Sequence, residues 1–444
     1  MKREETWARD IRALSVPQPQ RNSPFFGLVF LLLALVIGAG LFYYQGQLEE
    51  GLVVTGLNTQ VSWGIYIVNF IFCIGLSAGG IAVSGLVHAF RIRELKPVAL
   101  IAEILALSFL LMAAVSIILD LGHPERALFV LLYANPWSPL VWDATVITLY
   151  LLLCVALLWC SLRSDLAKVP SHIRLGRFLS WVAGSRTEEA EKKNARLLGR
   201  LAVLSIPAAL ALHSVTAWIL GLAKGQPGWN TAILAPLFIA SALVSGIGVV
   251  ILGAGVARRF FGMPLPKEVF DTLGRYLFFL LPVLIYFLFS EFLTISYTGE
   301  LSHQGVMEEI LWGRFSGFFW FDMMVGILLP FFILAFFRTS MWAIQTASLL
   351  AVVGVLAERI NILLPSLMRV DSLHGGATYV PSLPELMMVA AVYAMGLLFF
   401  CGFGYILGNL QEREQQVGVL QGATSEFAAG NAGLTVSSWV GKIR

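Results

Sequence analysis

The residue types best suited to chemistry gather in one stretch: Asp120-Leu-Gly-His-Pro-Glu-Arg126, followed by Ser138-Pro-Leu-Val-Trp-Asp143. Gly122 and Pro124 favour a tight turn. Ser138 is a natural helix N-cap and Pro139 suits the first helical turn. The turn therefore brings Asp120, His123, Arg126, Trp142 and Asp143 towards one membrane surface. A lipid-soluble quinone suits such a set. Its ring stacks on aromatic side chains, its carbonyls accept hydrogen bonds, and its two protons need acceptors when the reduced form is oxidised. Asp143 and His123 are the candidate proton acceptors, with Asp120 in support. Trp63, Tyr66 and Asn69 lie at the same end of a neighbouring apolar run, in Trp63-Gly-Ile-Tyr-Ile-Val-Asn69. Tyr66 and Asn69 are three apart and share a helix face. With Arg126 and Trp142 they are candidates to position the ring. Trp and Tyr at such places also read as plain interface anchors.

A second group is ionisable and lies within apolar runs, where charge is costly and points first to function. Glu291, Asp322, Glu358, Arg359 and His213 fall towards the same membrane face as Asp143, while Glu103 and His88 fall near the opposite face. Glu103, His213, Glu291, Asp322, Glu358 and Arg359 are candidates for a proton path. Each also has a structural reading: Arg359 pairing with Glu291 or Asp322 to hold helices together, His213 in an interhelical hydrogen bond, Glu103 reaching the interface.

The elements that must position these groups follow from composition. The 444 residues are 58% hydrophobic and 13% charged, against about 45–50% and about 25% for soluble domains. This excludes a soluble enzyme, a disordered chain and a nucleic-acid binder. Ten runs are long and apolar enough to cross a membrane: 25–44, 64–90, 98–119, 141–162, 200–222, 232–256, 275–298, 316–337, 342–364 and 386–408. The predicted fold is an all-α integral membrane protein. Residues 1–24 form an N-terminal segment without the pattern of a signal peptide, and 409–444 a polar tail. Glu188–Arg196 is expected to form a short surface helix. With both termini cytoplasmic, the inner segments hold 25 of 30 Lys and Arg, and the outer loops only Arg126, Lys224, Arg314 and Arg369.

Several chemistries lack their ligands. Cys73, Cys154, Cys160 and Cys401 form no CxxC pair, so the sequence offers no iron–sulfur, zinc or disulfide pattern. His88 and His213 lie at depths differing by roughly 15–20 Å at 1.5 Å rise per residue, too far for one haem. Electrons would have to reach a partner. Val141-Trp-Asp143 and Phe319-Trp-Phe-Asp322 open the fourth and eighth spans alike, and the small-residue second span echoes the sixth. This predicts two four-helix bundles, spans 2–5 and 6–9, with spans 1 and 10 outside. A secondary transporter, or a non-redox membrane anchor, is the competing reading.

Trp63-Gly, the xLGxP turn at Asp120, Ser138-Pro-Leu-Val-Trp-Asp143, His213-Ser-Val-Thr-Ala-Trp218, Pro227-Gly-Trp-Asn230 and Glu358-Arg-Ile-Asn-Ile-Leu-Leu-Pro-Ser366 together resemble the NrfD/PsrC family. The similarity covers about 60–366. The ten-span length resembles the branch with the DsrP and HmcC-like subunits and the quinol-binding subunits of alternative complex III. The resemblance implies an integral subunit without haem, iron–sulfur or metal of its own. Its substrate would be menaquinone or ubiquinone. Its partners would be a ferredoxin-like iron–sulfur subunit on the outer face and a catalytic or multihaem cytochrome subunit, in a prokaryotic cell membrane. It places Asp143 and Asp120 at the quinone. Asp120 stands where alternative complex III often has histidine, and Gly75-Leu-Ser-Ala-Gly79 lacks the histidine of that branch's GIAHAG motif.

Overall fold

The computed structural model describes residues 24–166, 187–368, 370–371, 375–376 and 378–428. Ten helices in it are long and apolar enough to span a membrane. They are α1 (Pro24–Glu50), α2 (Ile65–His88), α3 (Ala99–Asp120), α4 (Pro139–Leu166), α5 (Glu188–Gly221), α6 (Leu234–Phe260), α7 (Lys267–Thr298), α8 (Ser316–Phe337), α9 (Met341–Leu367) and α10 (Leu383–Ala428). The only strands among the described residues are Val370–Asp371 and Gly375–Gly376, a short antiparallel pair. We call upper the end at which α2, α4, α6, α8 and α10 begin.

The helices pack as two rings of four with the same connectivity. In the first, α2 touches α3 and α5, and α4 closes the ring between them. In the second, α6 touches α7 and α9, and α8 closes the ring. The predicted pair of bundles is therefore the architecture observed. α1 packs on α10, and α10 packs on α3, so both lie outside the rings. The bundles meet mainly along α2 and α6. There Gly79 and Gly246 face each other so closely that a Cβ on either would strike the other's backbone. Ser77, Ser84, Ser241 and Ser245 are buried on the same helices. Small side chains permit this approach where lipid supplies no hydrophobic drive for association.

Three elements differ from expectation. Glu188–Arg196 is not a separate surface helix but the first turns of α5. Thr187 accepts from the Ala190 N–H at 3.2 Å, three glutamates fill the first turn, and Lys192 and Lys193 pair with Glu188 and Glu189 at 2.5 and 3.0 Å. A cap, a complemented dipole and i,i+4 pairs extend a helix beyond the lipid. At the other end of the chain, α10 continues through Ala428, beyond the expected span end at 408. The third is α8. Its residues Asp322–Leu328 form a π-helix, with the Leu329 N–H bonding five residues back to Met324. Pro330 follows and has no N–H to give to the preceding turn, so the ladder loosens there.

Between α7 and α8 lies a helix that hydropathy did not reveal, Leu301–Leu311. Gly299, with φ +68, ends α7 in the left-handed conformation and turns the chain into it. It packs on α7 and α9 over the upper mouth of the second bundle.

Gly246→Ala should lower stability by about 1–3 kcal/mol, since the added methyl overpacks the crossing. Gly38→Ala on α1, where a Cβ meets nothing within 4 Å, should be neutral. Thermal unfolding of the two variants in one detergent checks this; equal melting temperatures would refute the crossing's role.

Candidate functional site

Asp143 sits in the first turns of α4 and is 4% exposed. Its Oδ1 accepts from the Thr216 hydroxyl on α5 at 2.7 Å, its one side-chain hydrogen bond among the described residues. Trp142 beside it is half-buried and donates from Nε1 to the Pro136 carbonyl at 2.6 Å, which ties the start of α4 to the preceding loop. A buried carboxylate with a single hydroxyl partner can take a proton, or a hydrogen bond, from a molecule arriving from lipid.

The other residues predicted for this site divide among three places. His123 and Arg126 lie in the loop and are 66% and 62% exposed, with Glu125 between them at 3.0 and 3.8 Å. Its own backbone N–H, then His123 and Arg126, holds the Glu125 carboxyl below the usual carboxylate range. Asn69 turns into the bundle and donates to Ser116 on α3 at 2.7 Å. Tyr66 turns the other way, donating to Gln47 of α1 at 3.0 Å. Tyr66 and Asn69 thus share α2 but not one pocket. Trp63 stacks on Trp229 at 5.9 Å, which joins the entries of α2 and α6.

Asp120 belongs with Tyr66 rather than with Asp143. Its Oδ1 is buried without a hydrogen bond among the described residues, in the field of Glu385. Glu385 is fully buried at the start of α10, and nothing in the sequence marked it out. It accepts from the Gly56 N–H at 2.8 Å, the Ser382 N–H at 2.7 Å and the Tyr379 hydroxyl at 2.7 Å. Tyr379 in turn accepts from the Ile65 N–H at 2.8 Å; burial and Glu385 push its hydroxyl up. Gln47 donates to the Leu119 carbonyl at 2.6 Å. This network clasps the loop before α2 to α10. Its only sequence trace is an acid at the start of an apolar run.

The second bundle holds the larger group of buried charge. A cavity of about 60 Å³ is lined by Glu291 of α7, Asp322 of α8, Glu358 and Asn361 of α9, and His303 of the Leu301–Leu311 helix. Asp322, Glu358 and Asn361 are 4%, 3% and 8% exposed. Asp322 Oδ1, both Glu358 oxygens and Asn361 Oδ1 have no hydrogen-bond partner among the described residues. Polar groups of this kind are satisfied by internal water, for which the volume has room. Asp322 begins the π-helical stretch, and its Oδ1 lies beside Gly326 and Gly354, which cross backbone to backbone. His303 also stands 3.1 Å from Glu300, whose side chain is 62% exposed, so the cavity's polar lining reaches the upper surface.

Arg359 is 1% exposed. It lies 4.3 Å over the Phe238 ring, donates to Ser241 Oγ at 2.5 Å and stands 3.8 Å from Glu358. Its nearest acid is thus its sequence neighbour, not Glu291 or Asp322 as its structural reading had it. Glu103 and His213 stand apart from this cavity. Glu103 does not reach the interface; it is buried near the lower end, accepts from Ser84 at 2.7 Å and lies 3.5 Å from His88. His213 has its Nδ1 3.1 Å from the Ala209 carbonyl. Among the described residues, no three His, Cys, Asp or Glu side chains stand close enough to hold a metal ion.

Residues 53–371 match the family described as polysulphide reductase, NrfD. The chain is 32% identical to a putative membrane subunit of dimethyl sulfoxide reductase from Halobacterium salinarum, over 85% of this chain and 89% of that one. It is 29% identical to an Hdr-like menaquinol oxidoreductase integral membrane subunit of Archaeoglobus fulgidus, over 85% and 91%. Against a selenate reductase subunit of Mesobacillus selenatarsenatis the identity is 25%, over 84% and 92%.

Arg359→Leu leaves the acids of the second cavity without their cation, and removing one member of a buried charge group costs about 3–5 kcal/mol. The variant should melt well below the parent, and Arg359→Lys between them. Unchanged melting of Arg359→Leu would show that the acids do not need it.

Proposed function

The chain belongs to the polysulphide reductase NrfD family, and from that membership we propose that it is the quinone-interacting membrane subunit of a multi-subunit oxidoreductase. The observation that carries the site is Asp143: a buried carboxylate near the upper membrane surface, with one oxygen on Thr216 and the other uncommitted among the described residues. The ring of the quinone enters from lipid beside Trp142. Asp143 takes or returns the proton of the hydroquinone hydroxyl. His123 and Arg126, exposed in the adjoining loop, link this carboxylate to bulk solvent. Asp120 and Tyr66, on the α1 and α10 side, and Asn69, held by Ser116, act at a distance by fixing the upper ends of α2 and α3. Menaquinone is favoured over ubiquinone by the relative named as a menaquinol oxidoreductase subunit.

The upper end faces away from the cytoplasm, since 25 of the 30 Lys and Arg lie on the other side. Electrons leave or enter there through an iron–sulfur subunit docked on the upper loops, which passes them to a catalytic or multihaem cytochrome subunit. The setting is a prokaryotic cell membrane with both termini cytoplasmic.

The second bundle adds a proton path. Glu291, Asp322 and Glu358 surround one cavity, Arg359 offsets their charge, and His303 joins it to the upper surface. The loosened helix at Asp322 gives that carboxylate room to move. Glu103, with Ser84 and His88, is the corresponding polar group at the lower end, and His213 lies between the bundles.

Positioned acid–base groups are worth about 10²–10⁴-fold. Asp143→Asn should therefore lower quinol turnover by about 100-fold or more while the complex still assembles; full turnover would remove Asp143 from the site. Glu291→Gln should keep turnover but reduce the membrane potential built per electron, measured in proteoliposomes. Unaltered coupling would end the proton-path reading.

A further inference from the structure

Beside the Gly79–Gly246 crossing, the two bundles do not close. α2, α5, α6 and α7 leave a cavity of about 470 Å³ between them. Its lining is apolar: Ala78 and Ala82 of α2, Ala209 of α5, Ala242 of α6, Phe279 and Val283 of α7. The alanines make the hollow, and the bulkier side chains of α7 form its far wall. Phe279 is 67% exposed, so the groove opens sideways to lipid. From Ala78 to Leu86 it runs for about 12 Å along α2 at 1.5 Å per residue, enough for a length of hydrocarbon chain.

Two of its lining side chains carry polar atoms, His213 and Tyr276, and of these His213 is the buried one. His213 is 3% exposed, and its Nε2 is buried with no hydrogen-bond partner among the described residues. It is the uppermost of the α5 residues that line the groove, towards mid-membrane. α5 ascends from Ile206 to His213 and α2 descends from Ala78 to Leu86, all of them lining residues. The tautomer follows from its other nitrogen. Nδ1 lies 3.1 Å from the Ala209 carbonyl oxygen, which can only accept, so Nδ1 carries the proton. Nε2 is then an acceptor. A buried acceptor in a mostly apolar groove calls for an amphiphile with a hydroxyl at its head and a chain behind it.

We propose that this groove is a second binding site, for the reduced form of a prenylated quinone, whose hydroxyl donates to His213 Nε2 and whose chain lies between α5 and α7. This rests on the reading of the chain as a quinone-interacting subunit. The oxidised form offers carbonyls, which cannot donate to Nε2, so the groove selects hydroquinone over quinone. The occupant stands at the seam of the bundles, its head one turn of α5 below Thr216, whose hydroxyl holds Asp143; Asp143 does not line the groove. A loaded groove holds reduced quinone beside the complex and adjoins both bundles.

The test uses the assembled complex in nanodiscs, titrated with the reduced and oxidised forms of a decyl-naphthoquinone and counted by native mass spectrometry. The parent should bind two molecules of the reduced form per chain. Ala82→Phe, which fills the groove from its half-buried lipid side, should bind one. His213→Leu should weaken the second site for the reduced form at least tenfold and leave the oxidised form unchanged. His213→Gln, which keeps an acceptor, should restore much of the preference. Two bound molecules in Ala82→Phe would overturn the proposal, as would a groove filled by phospholipid with hydroquinone only at the site that Asp143→Asn abolishes. That second result leaves the quinone reading of the chain intact. No hydroquinone bound by the parent at all would remove both.

Discussion

Two helices, α2 and α6, touch backbone to backbone at Gly79 and Gly246, and most of the molecule is arranged about that contact. In lipid, helices gain little from hiding apolar surface from each other. They associate through close fit and interhelical hydrogen bonds. The crossing supplies the fit, and buried serines on the same two helices supply polar groups. One of them, Ser241, holds the guanidinium of Arg359 from across the helix interface. Each helix then builds its own ring of four. Beside the same crossing lies the alanine-lined hollow that His213 enters.

The rings are alike in connectivity and unlike in chemistry. Asp143 and Asp322 occupy corresponding places, at the upper starts of α4 and α8. In the first ring the carboxylate finds one hydroxyl, Thr216, and stands near loops that carry exposed His123 and Arg126. In the second it meets two glycine backbones, a loosened helical turn and two further acids. Burying several carboxylates in low dielectric is tolerable only with a cation nearby and with water or protons to satisfy them. The first arrangement suits a molecule that brings its own proton from lipid. The second suits a store or conduit for protons. One repeated frame thus presents two chemically different sites, and the difference follows from which side chains face Asp143 and Asp322.

The sequence carried the frame well. Ten apolar runs, small residues in the second and sixth, and paired Trp–Asp openings sufficed for two bundles, because hydropathy and Gly/Ser content report directly on lipid and on close packing. Ends were less legible. Capping by Thr187 and the salt-bridged turns of α5 lie outside the hydropathy signal, and the helix Leu301–Leu311 is too short and mixed to register. The site was legible in residue type but not in direction. Tyr66 and Asn69 share a helix, yet one faces α1 and the other α3, since the contacts on each side of α2 differ. Glu385 and His303 were missed because a single acid near a span end, or a histidine in a loop, looks like ordinary solvated charge. Thr216 lay within a motif that the sequence does show, three residues after His213, but a hydroxyl gives no sign of its partner until α4 and α5 are brought together.

The central claim is that this chain passes electrons between membrane quinone and a partner. The direct measurement is to purify the complex in mild detergent through a C-terminal tag, identify the co-purifying chains and extract the bound quinone. The account predicts a stoichiometric iron–sulfur subunit and at least one quinone per complex. A chain that purifies alone, with neither iron nor quinone, would contradict it and favour a transporter.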